Sequence, residues 1–330
     1  MKIFISIASY QDPLLLETLC SAYTNARYKN SLVFGVCEQA DDGIDVSSLT
    51  FKNQLKYELL DPVMAKGPCW ARGRIQNFYS NEDFFLQIDS HTIFTPDWDH
   101  ILLENHAWLE KTQKDNFVIT GYPRKFEPND DLSSFELDTA SKITWGITFQ
   151  KEKLFEDGHY SGQHGFPSNS CNPLRGLLIA AGFIFAKGRF VKEIPYDPKF
   201  YFHGEELSLA IRIYTNNWNA IYIPETPLFH FYTDVNNLPR KLHWDEEDEK
   251  NRIEKWTELD RKSKSRLSDL ILNRLEGSFG LGKHRTINEF EKKIGIDLNA
   301  KKVKNLDLAT SSLSFEEIES NGKPYNKLLI

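Results

Sequence analysis

Short apolar segments alternate with amphipathic ones along the first part of the chain. The apolar segments, which we interpret as buried strands, span residues 3–8, 31–37 and 84–88. Helices are predicted from Pro13 to Leu19, after the capping candidate Asp12, and from Cys69 to Tyr79. Because strands separated by helices pair in parallel and are covered on both faces, this alternation predicts an α/β fold with a mostly parallel sheet flanked by helices.

The middle of the chain has a different character. From about residue 121 to 173 it is rich in Gly, Pro, Asn and Asp with scattered aromatic residues, which predicts loops over a site and one short strand at 143–149. An apolar segment at 177–186 then returns to the core. The small residues around Gly182 would let either another backbone or a ligand approach closely.

The pattern changes again after Pro239. An acidic run at 245–249 precedes apolar residues at helical spacing up to about Gly277, which predicts one long helix with acids at its N-terminus. We therefore divide the chain into a sheet domain, residues 1–239, and a mainly helical C-terminal extension, residues 240–330. A separate small C-terminal domain is the alternative.

The composition is that of a globular protein and limits its partners. The 330 residues are 40% hydrophobic and 26% charged, with a net charge of −7, which argues against disorder and against nucleic-acid binding. The sequence has no apolar stretch long enough to cross a membrane, and its start reads as a strand rather than a signal peptide, so we expect a cytoplasmic protein. The four cysteines are widely spaced and are expected to be free thiols, and an oligomer is compatible with the sequence.

The strand at 84–88 ends in the tripeptide Asp89-Ser90-His91. Successive side chains of an extended strand alternate, so Asp89 and His91 are expected to point to the same side. A carboxylate and an imidazole suit a first-row ion such as Mn²⁺, and the pair lies at the carboxyl end of a strand, where α/β sheets bind ligands. An Asx turn followed by a structural histidine is the alternative interpretation.

A second group of candidate residues lies further along the sheet domain. Gly204, Glu205 and Glu206 form an elbow that leads into an amphipathic helix, and His230 stands among aromatic residues after the next predicted strand. Acids are favourable in the first turn of any helix, so the two glutamates have a structural as well as a functional interpretation. His230 is a candidate third metal ligand only in combination with the earlier Asp-x-His pair.

In their order along the chain these motifs resemble those of glycosyltransferases with the GT-A fold. The tripeptide at Asp89 is similar to the Asp-Ser-His form of the D-x-D motif in polypeptide N-acetylgalactosaminyltransferases, and the elbow and His230 match later motifs of those enzymes. A closer resemblance is to the polypeptide-hydroxyproline N-acetylglucosaminyltransferases of glycosyltransferase family 60 and their bacterial relatives. It covers most of the chain and is carried by residues 180–183, 203–206 and 279–285.

The resemblance implies an enzyme whose Rossmann-like GT-A domain, residues 1–239, binds a UDP-sugar donor. It further implies a divalent cation, Mn²⁺ or Mg²⁺, held by Asp89, His91 and His230, and transfer of the sugar with retention of configuration. The sugar would be GlcNAc or a close analogue such as glucose or galactose. The acceptor would be a hydroxyl group on a protein or a glycan.

Two arginines precede the metal strand and are candidates for the donor phosphates. Arg72 and Arg74 lie on the predicted helix, and a guanidinium group matches phosphate oxygens well. Residues two apart do not share a helical face, so one is expected to contact the donor and the other to be structural or on the surface. The family pattern places a basic donor contact here, and we favour Arg72.

Other donor candidates lie at the ends of predicted strands. Ser9, Tyr10 and Glu38 follow the first two strands, where uracil and ribose would bind at the edge of the sheet, and Tyr10 is either a stacking residue or a surface aromatic. Ser90 and Gly182 complete the predicted donor-binding set.

Glu205 and Glu206 are the candidate catalytic residues, and the sequence does not separate them. A retaining enzyme needs no strong base, whereas an inverting one would use such a carboxylate at the acceptor hydroxyl. Trp145 and His164 either cover the donor, guide the acceptor or pack within their own loop. The competing classes are a nucleotidyltransferase that makes activated sugars, an inactive carbohydrate-binding protein of the same fold and, less well supported, a metal hydrolase.

Overall fold

The structure is a computed structural model that describes residues 1–129, 134–138, 143–155, 162–232, 241–319 and 325. Strands and helices alternate along the first half of these ranges. The strands are β1 (Ile3–Tyr10), β2 (Leu32–Gln39), β3 (Leu55–Leu60), β4 (Phe84–Asp89), β5 (Thr92–Phe94), β6 (Asn116–Thr120), β7 (Arg124–Pro128), β8 (Phe135–Leu137), β9 (Trp145–Phe149), β10 (Gln163–Pro167), β11 (Leu174–Gly176), β12 (Phe183–Lys187), β13 (Trp218–Tyr222), β14 (Leu228–His230), β15 (Ile296–Asp297), β16 (Lys302–Val303) and β17 (Glu316–Glu317).

The α-helices lie between the strands and, towards the end of the chain, follow one another. They are α1 (Leu15–Asn25), α2 (Pro68–Ile75), α3 (Trp98–Thr112), α4 (Phe190–Glu193), α5 (Glu205–Thr215), α6 (Glu246–Asn251), α7 (Trp256–Ile271), α8 (Ile287–Ile294) and α9 (Leu306–Thr310). No helix within the described ranges combines the length and the apolar character needed to cross a membrane.

The main sheet has the strand order β17-β11-β13-β6-β12-β4-β1-β2-β3. β3, β2, β1 and β4 pair in parallel, and so do β13 and β6. β12 runs antiparallel to both of its neighbours, and β11 does the same between β13 and β17. The mixed α/β architecture confirms the fold class predicted from the sequence, with β12 and β11 as the reversed strands that alternation along the chain did not reveal.

Alternation of side chains along the central strand divides the core into two layers. Ile3, Ile5 and Ile7 of β1 join one hydrophobic cluster, whereas Phe4 joins the other. The isoleucine side is covered by α1 and α3, and the Phe4 side by α2, α5, α7 and α8. The C-terminal helices α7 and α8 therefore share a hydrophobic core with the sheet.

The prediction of one long helix after the acidic run is wrong. The chain forms α6 and α7, with an interruption at residues 252–255. The guanidinium group of Arg252, almost completely buried, bonds to the Tyr10 hydroxyl and to Glu249. Ile253, which the helical pattern counted as an apolar position, is 70% exposed. The break therefore coincides with the buried contacts of Arg252, in a segment that local periodicity predicts to be continuous.

The C-terminal extension also contributes to the sheet itself. β17 pairs antiparallel with β11 at the edge of the main sheet, with Glu316 opposite Arg175. The described part of the extension contains α6 to α9, and its last described strand lies at the edge of the sheet. The four cysteines are free.

Candidate active site

Two strand connections bring the three predicted metal ligands together. Asp89 is the last residue of β4, and the chain turns through Ser90 and His91 into β5. β5 pairs antiparallel with β14, and the register sets His230 opposite Thr92, next to His91. The main-chain N–H of Phe231 donates a hydrogen bond to the carbonyl of His91 and fixes this approach. Sequence-distant residues therefore meet because of the β5–β14 pairing.

The three side chains form a compact set of ligand atoms. One ligand atom each from Asp89, His91 and His230 lies within 4.8 Å of the other two. The Nε2 atom of His230 is 3.0 Å from Oδ2 of Asp89, and the two imidazole rings are 4.6 Å apart between centroids. One carboxylate oxygen and two imidazole nitrogens are a donor set that suits a first-row divalent cation. The residues thus fit the ion that the sequence predicts.

The Asp12 side chain holds His91 in place and was missed as a functional residue in the sequence. Its Oδ2 atom is 2.7 Å from Nδ1 of His91 and accepts a hydrogen bond from Ser90 Oγ at 2.8 Å. Its Oδ1 atom accepts the N–H of Leu14 at 3.0 Å in the turn that precedes α1. The N-cap residue of α1 is Leu14 and has no side-chain cap, so the capping role predicted for Asp12 is wrong. A carboxylate behind a ligand histidine is the usual device for orienting the ring.

Arg72 links the metal strand to the helix α5. Its guanidinium group, 4% exposed, donates to Oδ1 of Asp89 and to Oε1 of Glu205, both at 2.5 Å. The hydroxyl of Tyr196 donates to the same oxygen of Glu205 at 2.6 Å. Burying an ion pair costs desolvation free energy, which good geometry and further hydrogen bonds are needed to offset. Arg72 is therefore bound by two carboxylates at the site.

The charges around Asp89 keep it ionised. Burial alone would raise the pKa of the Asp89 carboxyl, but Arg72, His230 and His91 outweigh burial and hold the pKa well below its usual range. An ionised carboxylate is the form that binds a cation.

Gly182, in the loop before β12, lies directly against the metal strand. A Cβ atom at this position would come within 2.7 Å of Oδ2 of Asp89 and 3.8 Å of His230 Cδ2. No real Cβ contact is that short, so any side chain here would displace the carboxylate. The absence of a side chain at Gly182 leaves room around the candidate ligand atoms, in line with the close approach predicted for this segment.

Glu206 and Glu205, which the sequence could not separate, have different surroundings. Glu205 is buried and faces Arg72, whereas Glu206 is partly exposed to the cavity. The Oε1 atom of Glu206 accepts the N–H of Ala181 at 2.9 Å, and Oε2 accepts the hydroxyl of Tyr122 at 3.0 Å and the Gln163 amide at 3.2 Å. Burial raises the pKa of Glu206 to about 7, with Glu205 adding to the rise.

A cavity of about 480 Å³ opens beside these residues. Its volume lies within the range of small-molecule and cofactor sites. Residues of the predicted metal, donor and catalytic sets that line it are Asp89, His230, Arg72, Gly182, Glu205 and Glu206.

The C-terminal helix α7 reaches the rim of this cavity. His203, which precedes the elbow and lines the cavity, has its Nδ1 atom 2.8 Å from Oδ1 of Asp260 in α7. The Ser263 hydroxyl of the same helix donates to the carbonyl of His203 at 2.7 Å. The extension thus helps to position the loop that carries the elbow.

Several predicted donor residues lie beside the cavity rather than in its wall. Ala8 is opposite Asp89 and Ser9 is opposite Glu38 in the sheet, so all of them share one edge. Ser9 is buried, and Glu38 accepts hydrogen bonds from the N–H of Ile44 and the Tyr57 hydroxyl. These contacts fix the Glu38 side chain at the edge of the sheet where the donor was expected.

Tyr10 is held by the C-terminal extension. Its hydroxyl donates to Oδ2 of Asp248 at 2.8 Å and accepts from Arg252, and its ring lies 5.0 Å from that of His243 between centroids. Burial and the Asp248 hydrogen bond raise the pKa of Tyr10 to about 12. The segment 241–252 therefore covers the end of β1, an arrangement that the sequence did not suggest.

The remaining two predicted donor residues differ in their placement. Ser90 is buried between β4 and β5 and bonds to Asp12, so it supports the ligand turn. Arg74 points away from the cavity, forms two hydrogen bonds with the carboxylate of Glu58 and lies over the ring of Trp70. Of the two arginines, only Arg72 is brought to the site.

The residues of this site fall within the match to one protein family. The family model described as glycosyltransferase (GlcNAc) matches residues 41–300, which is well over half of the chain. The match includes the three candidate ligands and both glutamates. The chain therefore belongs to this GlcNAc glycosyltransferase family. The comparison with curated proteins gives no match.

Solved structures of other glycosyltransferases are similar to parts of the chain. They include TarS 1–349 of S. aureus in complex with UDP-GlcNAc, which is 14% identical over 94% of this chain and 74% of that chain, with a TM-score of 0.48. GalNAc-T7 with UDP, GalNAc and Mn²⁺ is 12% identical over 72% of this chain, with a TM-score of 0.47. The chain covers only 45% of the length of that GalNAc-T7 chain. The mannosyltransferase PcManGT from Pyrobaculum calidifontis, in complex with GDP-Man and Mn²⁺, is 11% identical over 72% of this chain and 58% of that chain, with a TM-score of 0.45.

Proposed function

We propose that the protein is a metal-dependent GT-A glycosyltransferase that transfers GlcNAc from UDP-GlcNAc to a hydroxyl group on a protein or a glycan. The observation that carries the proposal is the convergence of Asp89, His91 and His230 beside a cavity in a chain of the GlcNAc glycosyltransferase family. Within that family we propose a relationship to the polypeptide-hydroxyproline N-acetylglucosaminyltransferases, on the motifs quoted above.

The three ligands would hold Mn²⁺ or Mg²⁺. The ion, when bound, offsets negative charge on the diphosphate of the donor as the sugar bond breaks. As a carboxylate, Asp12 can accept a hydrogen bond but cannot donate one, so Nδ1 of His91 carries the proton. Nε2 is therefore the nitrogen that would bind the metal. The residues behind the ligands thus select the tautomer that the site needs.

Arg72 and the two glutamates have distinct proposed roles in this reaction. Arg72 keeps Asp89 ionised and oriented, and Glu205 holds Arg72 in turn. Glu206 faces the cavity and connects Ala181 to Tyr122 and Gln163. Retention of configuration is part of the proposal, and it rests on the family resemblance. The donor would bind to the domain formed by residues 1–239. The extension, residues 240–330, would support the rim of the cavity.

The test is UDP release with Mn²⁺ and each of four donors, UDP-GlcNAc, UDP-GalNAc, UDP-glucose and UDP-galactose. UDP-GlcNAc should be turned over fastest, EDTA should abolish release, and Asp89→Asn should lower it by at least about a hundredfold because the charged ligand is lost. NMR of the product gives the stereochemistry.

A matched control is Asp97→Asn. Asp97 is also bound by an arginine, Arg27, but on the surface. Release by this variant should equal that of the unmodified protein. UDP release that is unaffected by EDTA and by Asp89→Asn, or no release with any donor, would contradict the proposal.

A further inference from the structure

A second cavity of about 570 Å³ adjoins the one that holds the candidate metal ligands. The two cavities have part of their lining in common, namely Tyr122, Pro123, Gln163 and Tyr232. A molecule in the second cavity would therefore face the first across this wall.

An indole ring lies in the wall of the second cavity. Trp145 begins β9, pairs with Pro167 of β10 and is 41% exposed. A Cβ atom on Gly165, in the neighbouring strand, would lie 3.3 Å from Cε3 of Trp145, so the glycine leaves the ring room against the hairpin. A large aromatic face that is open to a cavity and supported from behind is suited to stacking on the C–H face of a pyranose ring.

Among the described residues that line the second cavity, the charges are balanced. This set has two cationic side chains, Arg124 and Lys125, and two anionic ones, Asp138 and Glu225. Such a set favours a neutral polar ligand over a polyanion or a strongly basic peptide. A saccharide is such a ligand, because it carries many hydroxyl groups on an uncharged ring.

The wall between the cavities is hydrogen-bonded to Glu206, one of the two candidate catalytic residues. One oxygen of Glu206 accepts hydrogen bonds from Tyr122 and from Gln163, and both donors line both cavities. A hydroxyl group that reaches over this wall would arrive next to Glu206 and the first cavity. A molecule in the second cavity would thus be placed as an acceptor, next to the donor proposed for the first cavity.

We propose that the second cavity is the acceptor site and that it takes a neutral saccharide stacked on Trp145. The proposal rests on the function proposed above, since it assigns the donor to the first cavity. It narrows the acceptor from a protein or a glycan to a glycan.

The test measures saccharide binding directly, by saturation-transfer NMR titration of the protein with UDP and Mn²⁺ present. The probes are cellobiose, lactose, maltose and N,N′-diacetylchitobiose, with a hydroxyproline peptide as the alternative acceptor class. At least one disaccharide should bind, with a Kd raised about tenfold by Trp145→Ala and less by Trp145→Phe, since a stacking contact is worth on the order of a tenfold change. Trp244→Ala, a substitution of a similarly exposed tryptophan outside this cavity, should leave that Kd unchanged.

Calorimetry of UDP binding on the same samples separates the two proposals. If UDP and Mn²⁺ bind but no disaccharide does, or only the peptide binds, the glycan assignment is overturned while the donor site stands. A disaccharide Kd indifferent to Trp145→Ala overturns it as well. If UDP does not bind at all with Mn²⁺ present, the function proposed for the first cavity fails independently of any saccharide result.

Discussion

Asp12 combines two tasks that the sequence presents as one. It accepts the N–H of Leu14 in the turn before α1, and its other oxygen lies 2.7 Å from Nδ1 of His91. The same aspartate therefore couples the geometry of this turn to the orientation of a proposed metal ligand. A carboxylate behind a ligand histidine raises the basicity of the ring and fixes its direction.

Asp12→Asn should weaken Mn²⁺ binding about 10- to 100-fold, because the amide neither matches the charge nor reliably accepts from His91. Isothermal titration calorimetry of the protein with Mn²⁺ measures the change. Asp61→Asn is the matched control, since the Asp61 side chain likewise accepts the main-chain N–H two residues further on, that of Val63, at 2.8 Å. Equal Mn²⁺ affinity in the two variants would refute the role given to Asp12.

Glu206 makes the free energy of unfolding depend on pH. Its pKa is raised from 4.5 to about 7 in the folded protein, chiefly by burial. Between these values the folded protein holds a proton that the unfolded chain has released, so the free energy of unfolding falls as the pH rises and levels off above about 7.

Glu206→Gln removes the titrating group and should remove this slope. Relative to the variant, the unmodified protein should lose roughly 1–3 kcal/mol of unfolding free energy between pH 4.5 and 7. Urea unfolding in EDTA, at several pH values in this window, measures the difference. Parallel curves for the two proteins would show that Glu206 does not titrate there.

At the residue scale, sequence reasoning named the three candidate metal ligands but not their partners. Asp89 and His91 were paired on the expectation of strand alternation, but the chain turns after Asp89, and it is this turn that sets the two side chains close together. His230 was a candidate only in combination with that pair and with the family resemblance. The contacts of Arg72 with Asp89 and Glu205 could not be predicted, since they depend on how α2 and α5 pack around β4. The difference between Glu205 and Glu206 has the same origin, because adjacent residues on a helix face different neighbours.

At the scale of elements, the C-terminal extension packs as part of the sheet domain's core. Leu267 and Leu270 of α7 and Phe290 and Ile294 of α8 are buried in the cluster that covers the Phe4 side of the sheet. Asp260 and Ser263 of α7 hold the loop that leads into α5. We therefore expect the extension and the sheet to unfold together.

Ile294→Ala should lower the free energy of unfolding by about 2–5 kcal/mol, because it leaves a cavity in this shared cluster. Tryptophan fluorescence and circular dichroism should report a single coincident urea transition. Leu313→Ala, in the same extension but at a position that is 68% exposed, should change stability by less than about 0.5 kcal/mol. Two separate transitions, with only the minor one shifted by Ile294→Ala, would mean that the extension folds as its own domain.

At this scale the sequence predicted the strands of the first half well and the C-terminal half less well. β1, β2 and β4 follow from continuous apolar runs, which are strong local signals. The reversed direction of β12 and the joining of β17 to the sheet edge involve partners far away in the chain. The break between α6 and α7 depends on the contacts of Arg252, and local periodicity does not predict such contacts.

At the scale of the whole molecule, the first cavity and the three candidate metal ligands lie side by side, within the segment that matches the glycosyltransferase family. The α/β sheet sets the end of β4 beside β1, and the pairing of β5 with β14 returns His230 to it. The second cavity shares a wall with the first and provides room for another substrate. The central claim is that the cluster binds a metal and that the metal binds the diphosphate of the donor.

Calorimetry of UDP binding, with and without Mn²⁺, tests this claim most directly. UDP should bind to the unmodified protein in the presence of Mn²⁺. Removal of the metal by EDTA, or of its candidate ligand by His230→Ala, should weaken UDP binding by at least about tenfold. The two changes together should cause no further loss of affinity. UDP affinity that is the same in Mn²⁺ and in EDTA, or unchanged by His230→Ala, would contradict the account.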